Sequence, residues 1–213
     1  MRLKTSSLRN TAIKLWFAVT VALLCLLIGA KPVQAYDNQA SLRVSGNYIV
    51  KEGELITNKV NGVKGTAVYD EKTNTLTLNS FETAADVSTG ISFQYMGDLK
   101  IVLKGINTLK ASAGGIYMGQ SKDDGKDSLN ICGGGTLNIS TGSWEKASSG
   151  IYIQTEGLTI ENCTMNISAS YGAFGVAKDL TIKNSTIKVV RTGYGVVNDP
   201  NKNNNVYMGG RLC

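Results

Sequence analysis

The chain has 213 residues with a formal net charge of +6, 24 glycines, two prolines and no histidine. Without an imidazole, His-based nucleophilic triads, His-ligated zinc and His general bases are excluded. The charge is misleading as a sign of nucleic-acid binding. Of the 22 basic residues, Arg2, Lys4, Arg9, Lys14 and Lys31 lie in the first 35 positions, which hold no acidic residue; the rest of the chain has 17 basic against 16 acidic residues, a net of +1.

Residues 1–35 read as a signal peptide. A basic start is followed by an uncharged apolar run over residues 15–30, then by the small-residue cleavage pattern around Val33 and Ala35, so the mature chain is expected to begin at Tyr36. An uncleaved membrane anchor is the alternative, but the run is shorter than the roughly 20 residues a spanning helix usually needs. Secretion to the extracellular space or cell envelope is the expectation, with membrane contact only through this segment before cleavage. The remaining length suits one domain.

Residues 36–65 are the least regular part and read as an N-terminal β cap, with short strand-like pieces on either side of the turn at Ser45, Gly46 and Asn47. Residues 65–70 and 75–78 alternate around a polar turn and read as a hairpin or a first partial coil. Residues 66–197 then carry three recurring strand types. One opens with Gly and a branched residue: Gly90-Ile91, Gly115-Ile116, Gly150-Ile151, and less cleanly Gly175-Val176 and Gly195-Val196. The second is Leu-x-Ile, beginning at Leu99, Leu129, Leu158 and Leu180. The third follows a corner, at Thr108, Thr136, Thr164 and Thr186. The repeat is clearest between residues 158–168 and 180–190, 22 positions apart, where Leu158/Leu180, Thr159/Thr181, Ile160/Ile182, Asn162/Asn184 and Thr164/Thr186 are identical.

Three short strands per repeat, with Asn or Gly at the corners, predict an all-β fold: a single-stranded parallel β-helix, a β-solenoid of about four coils, behind the short cap. Residues 120–127 and 141–149 read as polar insertions, and residues 198–213 as an Asn-rich tail or C-terminal cap. Alternation turns Leu99, Ile101 and their equivalents inward, and Lys100, Asn130, Asn138 and Asn166 outward.

The segment from Gly65 through Tyr69-Asp70 and Thr73 to Asn79, followed by the Gly-Ile and Leu-Thr-Ile coils, resembles a β-helical module of secreted Gram-positive bacterial proteins often labelled carbohydrate-binding domain-containing. The resemblance spans residues 42–197. It implies an extracellular or cell-envelope protein that binds extracellular polysaccharide or cell-wall glycan, with no established reaction and no functional residues to transfer.

Candidate site residues follow from the outward positions. Tyr117 and Tyr152 each follow a Gly-Ile pair and suit stacking on sugar rings, with Trp144 on the adjoining insertion as a third ring. Lys100, Asn130, Asn138 and Asn166 are the polar candidates for ligand binding. The expected function is a secreted, non-catalytic glycan-binding or cell-surface module. The alternatives are a polysaccharide lyase or hydrolase of the β-helix type, and a structural or adhesive spacer without a small ligand. Glycoside hydrolysis needs two facing carboxylates, whereas Asp98, Glu156, Glu161 and Asp179 are assigned to corners. No cofactor is expected; Asp123, Asp124 and Asp127 could hold Ca²⁺ through oxygen ligands, against a solvated insertion as the alternative. Cys132 and Cys163 fall near the same corner of successive coils, as a disulfide or as separate thiols.

Overall fold

The computed structural model describes residues 39–119, 127–142, 148–154, 157–176, 178–192 and 206–208. Six strands precede the coils: β1 (Ser41–Val44), β2 (Asn47–Lys51), β3 (Glu54–Leu55), β4 (Lys59–Asn61), β5 (Lys64–Asp70) and β6 (Thr75–Glu82). Four three-strand sets follow: β7 (Thr89–Gln94), β8 (Leu99–Lys104) and β9 (Ile106–Ala111); β10 (Gly114–Met118), β11 (Leu129–Cys132) and β12 (Thr136–Thr141); β13 (Ser149–Ile153), β14 (Leu158–Glu161) and β15 (Thr164–Ala169); β16 (Gly172–Val176), β17 (Leu180–Lys183) and β18 (Thr186–Arg191). A last short strand, β19 (Val206–Met208), pairs with β16.

Every pairing between successive sets is parallel. The first face of the solenoid stacks β7, β10, β13, β16 and β19; the second stacks β8, β11, β14 and β17; the third stacks β9, β12, β15 and β18. About three turns carry the chain from the first set to the fourth. The architecture is the predicted parallel β-solenoid.

Like residues pile on like, as the repeat requires. Leu99, Leu129, Leu158 and Leu180 form one column and Ile101, Ile131, Ile160 and Ile182 the next. All but Ile182 are buried. Burying such a side chain is worth about 1.5–3 kcal/mol, and each layer is sealed only by the layers above and below it.

The Gly-Ile motif has a steric cause. A Cβ at Gly115 would lie 2.3 Å from Ile139 Cγ2, and one at Gly150 2.4 Å from Ile167 Cγ2, so the first face approaches the third closely enough to exclude a side chain there. The fourth coil departs from the expected alignment. Ile151 pairs with Phe174, which places Ala173 in the glycine column and Gly175 opposite Tyr152. Gly175-Val176 is therefore not the fourth Gly-Ile pair, and Gly195-Val196 lies outside the described residues.

The corners between the second and third faces need left-handed backbone. Gly105 (φ 66°), Gly133 (φ 94°), Asn162 (φ 53°) and Asn184 (φ 46°) occupy them in successive coils. Glycine and asparagine are the residues that adopt this conformation most readily.

The start of the solenoid is closed by antiparallel pairing that runs past residue 65. Strand β1 lies antiparallel to both β2 and β7, covering the edge of the first face. Strand β6 is both a hairpin partner of β5 and the first parallel rung, pairing with β8 and, at Glu82, with β9. Between these two pairings β6 bends at Ser80 (φ 49°). The fully buried Asn107 accepts the freed Phe81 N–H at 2.9 Å, which explains a polar residue in a column otherwise filled by Leu137 and Met165.

Candidate functional site

On the first face, Ile116 and Met118 are buried while Tyr117, between them, is 39% exposed, the alternation expected of a strand with one wet side. Tyr117 pairs in register with Tyr152, and their rings lie 5.7 Å apart, 10° from parallel. That is an offset stack of the kind aromatic quadrupoles favour. On the far side of Tyr152 stands Gly175, where a Cβ would come within 2.5 Å of Tyr152 Cδ2. The Tyr152 ring thus lies across the space a side chain would fill. On the near side of Tyr117 is the small Ser92.

The third face holds Asn138 and Asn166 in register, with Asn166 Nδ2 donating to Asn138 Oδ1 at 2.8 Å. They line an open hollow of ≈ 450 Å³ together with Thr108, Ser140, Ser168 and Lys188. Lys188 and Thr108 were not among the sequence candidates. Their signal was the same outward position on neighbouring coils, Thr108 beside Asn138 and Lys188 beside Asn166.

The second face holds Lys100 and Asn130, also in register. Lys100 is exposed, and Asn130 Nδ2 donates to Glu161 Oε1 at 3.3 Å. Glu161 is the last residue of β14 rather than a corner residue.

The sequence candidates therefore form three pairs on three faces, not one site: Tyr117 with Tyr152, Asn138 with Asn166, Lys100 with Asn130. Trp144, Asp123 and Asp124 lie outside the described residues. Asp127 is buried at 4% exposure rather than on a solvated surface. Among the described residues no three His, Cys, Asp or Glu side chains gather as a metal site would need.

Cys132 and Cys163 are separate, buried thiols; the disulfide is not formed. The register explains why. Leu129 and Ile131 pair with Leu158 and Ile160, so Cys132 comes level with Glu161, while Cys163 lies beyond the left-handed corner at Asn162. Burial pushes both thiols above their ordinary pKa; the Ser185 hydroxyl beside Cys163 and the charge of Lys100 near Cys132 only partly oppose it.

Among the described residues no helix is long and apolar enough to cross a membrane. No protein-family model, curated protein or solved structure matches the chain.

Proposed function

We propose that this chain is a secreted, non-catalytic glycan-binding or cell-surface β-helix module that docks sugar rings on the first face. The stacked Tyr117–Tyr152 pair carries the reading. Tyrosine presents an apolar ring and a polar hydroxyl on two torsions, so it anchors an amphipathic sugar at low entropic cost. The solenoid holds the pair on rigid backbone, and Gly175 gives the outer ring room to lie across the sheet.

A polysaccharide-binding panel on the chain, with and without Ca²⁺, tests this. The expected result is retention of at least one polymer, with affinity falling about tenfold or more when Tyr117→Ala and Tyr152→Ala are combined, the scale of a binding hot spot. Unchanged binding in the double variant removes the reading. Amino-terminal sequencing of the exported protein tests the secretion step, with Tyr36 expected first.

A spacer solenoid is the second reading, favoured by the self-pairing of Asn138 with Asn166 and of Asn130 with Glu161. These bonds tie coil to coil and leave those amides partly occupied. Retention of no polymer favours the spacer, and release of soluble products would instead indicate a lyase or hydrolase.

A further inference from the structure

The tyrosine pair belongs to a longer row. Across β2, β1, β7, β10, β13 and β16 the pairings link one row, with a register shift between Leu42 and Arg43 where β1 meets β2: Tyr48 faces Arg43, Arg43 faces Ser92, Ser92 faces Tyr117, Tyr117 faces Tyr152, and Tyr152 faces Gly175. Residues in register share one side of a sheet, and here the buried neighbours Leu42, Val44, Ile91 and Phe93 fix that side as the outer one. Five strand spacings of about 4.8 Å give the row a length of about 24 Å.

The cap end of the row is cationic and ordered. The Arg43 guanidinium carbon lies 4.4 Å from the centre of the Tyr48 ring, and an Nη2 hydrogen bond to the Gly46 carbonyl at 3.2 Å holds it there. Such stacking leaves the remaining donors of the planar fork facing water. Lys51 lies near the same ring but is paired with Glu52 at 3.7 Å. Among the described residues Arg43 makes no salt bridge, and the row contains no acidic member. The flanking outward pair, Ser41 and Gln94, is neutral too.

We propose that this row is one binding track for a carboxylated, uronate-type polysaccharide, with Tyr117 and Tyr152 taking sugar rings and Arg43 a ring-borne carboxylate. The inference rests on the glycan-binding reading of the two tyrosines and adds the charge of the ligand and the direction in which it lies, along the solenoid axis. A uronate carries its carboxylate on the pyranose itself, so one repeating unit supplies both the ring for a tyrosine and the anion for a guanidinium. A polyol-phosphate polymer offers the anion without a ring to stack. Ser92 keeps the path between Arg43 and Tyr117 low.

The test compares polygalacturonate with its fully methyl-esterified form, which keeps the sugar backbone and removes the charge. The full chain is expected to bind polygalacturonate about tenfold more tightly at low salt, the scale of a charge-assisted hydrogen-bond pair, with the preference shrinking at high salt. Arg43→Gln should bring the two affinities together without affecting the ester. Arg43→Lys should recover part of the preference, since it keeps the charge and loses the fork. Combining Tyr117→Ala with Tyr152→Ala should weaken both polymers alike. Circular dichroism checks that the Arg43 variants, altered at an exposed position, remain folded. Equal binding of both polymers, or a preference that survives Arg43→Gln, overturns the track and leaves the glycan reading standing. Binding of neither polymer also overturns the track; the glycan reading falls with it only if the wider polysaccharide panel is likewise not retained. Tighter binding of a polyol-phosphate polymer than of polygalacturonate overturns the carboxylate assignment.

Discussion

Gly150 and Ile167 share one volume: a Cβ on the glycine would lie 2.4 Å from the isoleucine Cγ2. One coil further on, Ala173 takes the glycine position and Val189 the isoleucine position, so a methyl group gained on the first face is matched by one lost on the third. The solenoid thus conserves the summed volume of the pair while exchanging its members, as close-packed interiors demand.

The exchange predicts a double-mutant cycle. Gly150→Ala alone should cost about 1–3 kcal/mol, the range for overpacking a core. Combined with Ile167→Val, it should recover part of that loss, with a coupling of about 0.5 kcal/mol or more. Recovery stays incomplete because the same Cβ also meets the Ala173 carbonyl oxygen at 2.7 Å. Urea unfolding of the two single variants and the double variant measures the coupling. Strict additivity would place the constraint in the backbone contact alone.

The same pair shows how far the sequence can be read. The Gly-Ile and Leu-x-Ile columns were legible because identical residues at identical positions must stack when coils repeat. The fourth coil was misaligned by two residues, since Gly175 follows the motif by identity whereas Ala173 follows it by volume. Strand alternation correctly turns Tyr117 and Asn138 outward, and the three strand types separate the Leu-x-Ile face of Lys100 and Asn130 from the corner-following face of Asn138 and Asn166; the repeat does not say which face holds a ligand. Arg43 and Tyr48 left no trace in the repeat at all. They reach the first face through antiparallel pairing of β1, which follows no coil grammar.

The corner column should respond to backbone, not side-chain, chemistry. Asn162 has φ 53° and stands level with Gly133 of the preceding coil; Gly105 serves the same corner one coil earlier, level with Gly135. Asn162→Ala places an ordinary Cβ residue in left-handed backbone and should cost roughly 1–2 kcal/mol. Asn162→Gly relieves that strain and should fall well below the alanine variant in cost, limited by the extra freedom of the unfolded chain. Thermal or urea unfolding separates the two. Equal losses would show that the Asn162 side chain, not the φ angle, matters at this corner.

Cys132 and Cys163 should be poor nucleophiles in the folded chain. Each is under 9% exposed, at 8% and 6%, and burial raises both thiols above their ordinary pKa. The reactive species is the thiolate. At mildly alkaline pH both therefore stay protonated, and reactivity rises only as pH climbs past the ordinary thiol range. In a chain carrying Cys25→Ser and Cys213→Ser, a disulfide-exchange reagent should label neither cysteine when folded and both when unfolded in denaturant. Fast labelling of the native chain, or a denatured chain with no titratable thiol, would contradict the buried, unpaired state.

Gly175 should tune the aromatic pair without belonging to the core. An alanine Cβ there would stand 2.5 Å from Tyr152 Cδ2 and 3.0 Å from Cε2, but the obstructing atoms belong to a side chain with a partly exposed ring. The ring can swing aside, so Gly175→Ala should cost little stability while disturbing the parallel arrangement with Tyr117, 5.7 Å between centroids. An aromatic pair is worth about 0.5–1.5 kcal/mol beyond burial, so polysaccharide affinity should fall roughly two- to tenfold. Calorimetric unfolding together with binding isotherms for Gly175→Ala gives both quantities. A large drop in melting temperature would make Gly175 a packing residue, whereas unchanged affinity would show that the pose of Tyr152 does not matter to the ligand.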